Sequence, residues 1–222
     1  GIPFGDGMPG TLTVAGNVNC QDGSTNVFHV DGSASTDLLV VNGDFTAGSA
    51  AVVTINPVVA LGPGSYGFIN FTGTMTGVFD PAVLGNPTHL DWALDYSSNN
   101  WVRLSVSGTG SNLVWHPTVD AGGYGVWDAN TTTNWDMGAV PAQVFRQYDN
   151  VTFNDVGVAL GTVSLAGLMG PGSVTVDSAG TYTFTGGAIT GATALVKSGV
   201  GSLMIMTTNA FTGGTTISQG EI

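Results

Sequence analysis

LVKSGVGSLMIMTTNAFTGGTTISQGEI, Leu195 to Ile222, is the stretch whose reading decides the fold. Two short runs within it, Leu203 to Thr208 and Thr215 to Ser218, are rich in apolar and β-branched residues. Glycines bound each run: Gly199 and Gly201 precede the first, and Gly213, Gly214 and Gly220 surround the second. Runs of about five or six residues between glycine turns suit one coil of a β-solenoid better than any helix. Alternation in the first run sets Leu203 and Ile205 toward a core and Met204 and Met206 outward.

Upstream, the same rhythm begins at Thr11, with TLTVAG, NVFHVDG, DLLVVNGDF and AAVVTI, and returns as GTVSLAG, GSVTVDSAG and TYTFTGG. Asn42-Gly43 is a turn signal. DLLVV and AAVVTI are apolar at consecutive positions, the mark of strands covered on both faces. Trp101 to Val106 alternates instead, with Val102, Leu104 and Val106 on one face and Arg103 and Ser105 on the other, as in a half-buried strand. The self-similarity is one of rhythm, not of a fixed period. Residues 1–10 read as an extended N-terminal arm, and 11–222 as one continuous β-solenoid. Within it lie divergent coils at 11–108, a tryptophan-rich insert at 109–155 and repeat-like coils at 156–222.

The spacing Leu195-x-Lys197-x-Gly199-x-Gly201-x-Leu203-x-Ile205, then Asn209-x-Phe211-Thr212-Gly213-Gly214-Thr215-Thr216-Ile217 and Gly220-x-Ile222, resembles the autotransporter-associated β-strand repeat. That repeat occurs in passenger domains and other large secreted bacterial surface proteins. Ile205 and Ile222 stand where leucine is usual, and Phe211 where tyrosine is common. Trp127, Asn134 and Trp135, followed by Tyr148 to Asp155, resemble a segment often seen ahead of such repeats. The likeness covers about Leu94 to Ile222. It implies an all-β, right-handed parallel β-helix of roughly 20–25 residues per coil, exported to the cell surface or the extracellular space. A passenger or adhesin stalk segment is the function it implies.

Composition narrows the function classes. The 222 residues include 35 glycines, about twice the usual share, without the G-X-Y period of collagen. Charged residues are only 8%, and the formal charge is −12, with three Lys and Arg against 15 acidic residues. Three scattered cations cannot neutralise a run of phosphates, which excludes nucleic acid as a partner and disfavours anionic membranes. No apolar run reaches the ~20 residues of a membrane-spanning helix. Cys20, the single cysteine, reads as a small buried hydrophobe.

No catalytic constellation stands out. Asp91 and Asp95, and Asp149 and Asp155, lie near each other without an adjacent basic residue, and Arg103, eight residues after Asp95, forms no motif with it. The aspartates read as turn residues. His29, His89 and His116 lack zinc-ligand spacing, and no EF-hand or Gly-rich Ca²⁺ repeat is present. The chain is therefore expected to be non-enzymatic and to need no cofactor, with opportunistic Ca²⁺ on so acidic a surface left open. Trp115, Tyr124, Trp127 and Trp135 either stack sugar rings or pack as a buttress; packing is the favoured reading, with Asn and Thr partners for the indole N–H groups. Met204, Met206 and Ile222, with Ile2 and Phe4 of the arm, form the expected self-association surface. Head-to-tail contact between copies of the chain would build a filament, and surface glycans are the other expected partner.

Overall fold

A computed structural model describes residues 9–31, 36–80, 82–117 and 125–222. Ile2, Phe4 and Tyr124 lie outside the described residues. The chain divides into two compact units, Gly1–Gly108 and Thr109–Ile222. It is all-β: among the described residues, the one helical turn is the 3₁₀ segment Val158–Leu160.

The first unit is built from three parallel ladders that share one offset. Thr11 pairs with Leu38, Val18 with Phe45 and Thr25 with Val52, always 27 residues apart. The next layer follows at about the same interval, with Leu39 beside Ile69, Phe45 beside Met75 and Val53 beside Ala82. Inward columns hold Val14, Val41 and Phe71, and Phe28 and Ile55; of these Phe28, Val41 and Ile55 are essentially inaccessible to solvent. Three glycines, Gly16, Gly43 and Gly73, recur at the corner after the first strand. A Cβ on Gly43 would come within 2.9 Å of the Gly16 carbonyl carbon, and one on Gly73 within 2.9 Å of that of Gly43. Beyond Gly64–Phe71 the pairing changes: Trp101–Ser107 joins that strand antiparallel, and Asp91–Asp95 joins Trp101–Ser107 antiparallel.

In the second unit a seven-stranded sheet runs in the order Val140–Gln143, Trp135–Met137, Asn112–Trp115, Asn150–Asn154, Ser173–Asp177, Ala194–Lys197, Thr215–Ile217. Its first two pairings are antiparallel and the rest parallel. The facing sheet stacks Val126–Trp127, Thr162–Met169, Tyr182–Gly191 and Leu203–Ile205 in parallel. The two long strands of that sheet turn a corner at Gly167 and Gly186, whose φ values of 104° and 82° an L side chain rarely adopts. A Cβ on Gly187 would lie 1.9 Å from the Gly167 carbonyl oxygen, so the corner stacks only with glycine there.

The all-β expectation holds. The five sheets do not join into a closed solenoid, and antiparallel pairs interrupt the parallel runs. The physical reason lies in two hairpins, Asp91–Asp95 with Trp101–Ser107 and Trp135–Met137 with Val140–Gln143, each adding to a ladder edge antiparallel strands where a further parallel strand would lie.

Three turn aspartates bond forward to the next layer. Asp22 accepts the Ala50 N–H at 2.9 Å, Asp44 the Thr74 N–H at 2.8 Å, and Asp155 the Ala179 N–H at 2.8 Å. Two fully buried carboxylates repeat one device in both units. Asp37 stands one residue before Leu38–Val41 and accepts the N–H of Gly10, one residue before Thr11–Val14, at 2.7 Å. Asp149 stands one residue before Asn150–Asn154 and accepts the N–H of Ser111, one residue before Asn112–Trp115, at 2.9 Å. Each also takes a second backbone N–H, from His29 and from Arg146 respectively.

Candidate functional site

The tryptophans of the insert are interior. Trp115, Trp127 and Trp135 are each 0% exposed, packed with Phe145, Phe153 and Phe184. Trp115 meets Trp135 edge to face at 4.9 Å, and Trp127 meets Phe145 at 5.3 Å, the arrangement that sets positive ring edges against negative ring faces. None of the three offers a ring face to a sugar. Their indole N–H groups have no hydrogen-bond acceptor among the described residues, so the expected Asn and Thr partners are not used.

Met204 and Met206 point outward, 51% and 67% exposed, while Leu203 between the sheets is buried. Ile222 and Ile217 are also about half exposed. Lys197 turns inward, 0% exposed, and its ammonium donates to the Gly199 carbonyl. A cavity of about 350 Å³ is lined by Gly125, Ala159, Leu160, Gly161, Thr162 and Ser164, a set with no acid, base or thiol. Among the described residues no three His, Cys, Asp or Glu side chains group as a metal site.

The arrangement with the most chemistry lies on the antiparallel sheet of the first unit. Trp101–Ser107 buries Val102, Leu104 and Val106, which leaves Trp101, Arg103 and Ser105 on the opposite face. Register then sets Asp95 directly across from Arg103 on one side and Gly67 across from it on the other. Ala93, Ser105 and Ser65 form the neighbouring row. The Arg103 guanidinium carbon lies 4.9 Å from the centre of the Trp101 ring, a cation–π contact that fixes both groups. Trp101 is seated on Gly67: a Cβ there would meet ring atoms Cε3 and Cζ3 at 2.7 and 2.8 Å.

The loop that joins the two strands is equally fixed. Asn100 adopts φ 66°, a conformation asparagine tolerates, and its side-chain amide donates to the Phe71 carbonyl at 2.7 Å. The Asp95 carboxylate accepts the Ser97 hydroxyl and N–H at 2.6 and 2.8 Å and the Ser98 hydroxyl at 3.2 Å. These bonds, and to a smaller degree the Arg103 charge, hold its pKa below the usual carboxylate value. An anionic acceptor, a planar donor and an aromatic ring thus share one face. Sequence reading passed over this group because Asp95 and Arg103 are eight residues apart; the Tyr96–Asn100 turn between two alternating strands is the signal that brings them together.

The chain is similar to the adhesin BmaC autotransporter of Brucella suis biovar 1 (strain 1330), with 26% identity over an alignment covering 98% of this chain. The chain spans only 8% of the length of that relative. No family model matches the chain. No solved structure matches it.

Proposed function

We propose that this chain is an exported, cell-surface segment of adhesin type, non-enzymatic, whose stacked strands wind as a right-handed parallel β-helix. The observation that carries the reading is the likeness to an autotransporter adhesin along nearly the whole chain. The 27-residue offset that three ladders share between their first two layers supports the helical winding, because strands that advance together by one layer per interval are what a coil requires. Beads coated with the chain test the adhesive role: they are expected to be retained on epithelial monolayers above albumin-coated beads. Equal retention would remove it.

A second reading rests on the outward apolar side chains. Met204, Met206, Ile217 and Ile222 are exposed apolar side chains of the second unit on which a second copy would dock head to tail, with Ile2 and Phe4 of the arm as its counterpart, and successive copies would form a filament. Sedimentation at increasing concentration separates the two readings: a chain that stays monomeric at the highest concentration leaves adhesion alone.

A further inference from the structure

We infer that the Trp101–Arg103–Asp95 face of the first unit is a binding site for an uncharged pyranose unit of a surface glycan; this deepens the adhesin reading and rests on it. Sugar recognition combines a ring face for the apolar C–H side of the pyranose with planar polar groups for its hydroxyls. The face supplies all of these from neighbouring positions. Trp101 is half-buried, its ring held by Gly67 on the sheet and by Arg103 at 4.9 Å. Arg103 can donate to a hydroxyl in a fixed plane, and Asp95 can accept from one. Ser65 and Ser105 make a low floor beside them, with Ala93 completing a row of small side chains.

Charge selects the class of sugar. Arg103 already faces Asp95 across the strand pair, and Asp91 lies two alternate positions further along the same strand face, beyond Ala93. A uronic or sialic carboxylate would meet those acids with no spare cation, since the chain has only three Lys and Arg, of which Lys197 is buried. A neutral hexose carries no such penalty. The ligation is pre-organised: the loop is tied by Asn100 to Phe71 and by Ser97 and Ser98 to Asp95, which limits the ordering cost of binding.

The test is a glycan array with the 222-residue chain, comparing neutral hexose-terminated with sialylated and uronate-containing probes. Trp101→Ala, Arg103→Gln and Gly67→Ala are run beside it, each checked by thermal melting. Neutral probes should bind, and each variant should weaken them about tenfold or more. Gly67→Ala is the sharpest arm, because its methyl displaces the Trp101 ring while removing no polar group; it stands in for Trp101→Ala should that variant not fold. Binding that survives Gly67→Ala and Arg103→Gln, a preference for anionic probes, or no binding of neutral probes would overturn the site. Bead retention that persists in Gly67→Ala would do so as well while leaving the adhesin reading intact. Failure of wild-type beads to be retained would strike the adhesin reading, whatever the array shows.

Discussion

The two units solve the same stacking problem with different intervals. In the first, stacked residues lie 27 to 30 apart; in the second, past the insert, they lie 20 to 23 apart. The longer interval accommodates three separate strands per layer with a turn at every corner. The shorter one lets a single long strand, Tyr182–Gly191, bend at Gly186 and serve two faces. Both intervals demand glycine where corners stack. Cβ atoms added at Gly199, Gly201 and Gly220 would all come within 2.2 Å of backbone atoms, and one at Gly77 in the first unit would lie 2.0 Å from the Ala47 carbonyl oxygen. Gly16 and Gly23 in the first unit, and Gly191 and Gly214 in the second, have nothing within 4 Å. Layer length therefore sets how many strands share a layer, not how much glycine its corners need.

The aromatic core should show the largest contrast. Trp127 touches Trp135, Phe145, Phe153 and Phe184, so Trp127→Ala is expected to cost the second unit about 3–5 kcal/mol. Hydrogen exchange would show the loss confined to residues after Thr109, and protection lost equally in both units would break the comparison. Gly201→Ala comes next. Its methyl would sit 2.0 Å from the Gly180 carbonyl oxygen, a backbone clash worth about 2–3 kcal/mol, whereas Gly16→Ala should change the denaturation midpoint little.

Asp37→Asn and Asp149→Asn ask what the units share. Each removes a buried carboxylate that accepts two backbone N–H groups, with an expected loss of about 1–3 kcal/mol. Similar losses, read by urea unfolding, are what one common device predicts. The smallest effect is acid dependence. Hydrogen bonds from Thr74 hold Asp44, and bonds from Ser178 and Ala179 hold Asp155, below the ordinary value of 3.8. Folded carboxylates with depressed pKa stabilise the protein above the unfolded value and lose that stabilisation as pH falls through the folded one. Unfolding midpoints should therefore drop below about pH 4, and Asp155→Asn should flatten the drop for the second unit only.

Much of the strand pattern was legible because half-buried strands alternate. Trp101–Ser107 and the outward turn of Met204 and Met206 follow from that alone. The fixed interval was hidden because stacked partners differ in chemistry: Thr11 lies on Leu38, Cys20 on Ala47 and Val30 on Pro57. A backbone ladder constrains spacing and burial, not side-chain identity. The insert's aromatics revealed their presence but not their depth, since Trp serves a core and a surface equally well. The Asp95–Arg103 pairing and the inward turn of Lys197 depend on register, which a linear reading does not supply.

Where the cations sit has a consequence for durability. Trypsin-like proteases cut after Lys and Arg, and this chain offers them three sites in 222 residues. Lys197 is sealed inside, Arg103 lies within a paired strand under the cover of an indole, and the Nε of Arg146 is shut off from solvent. A protease must bind several residues in extended form, so neither Lys197 nor Arg103 can be cut without first prising strands apart; Arg146 alone of the three lies outside a strand, between Val140–Gln143 and Asn150–Asn154. The scarcity of positive charge thus leaves the folded chain nearly without handholds for one whole class of digestive enzyme.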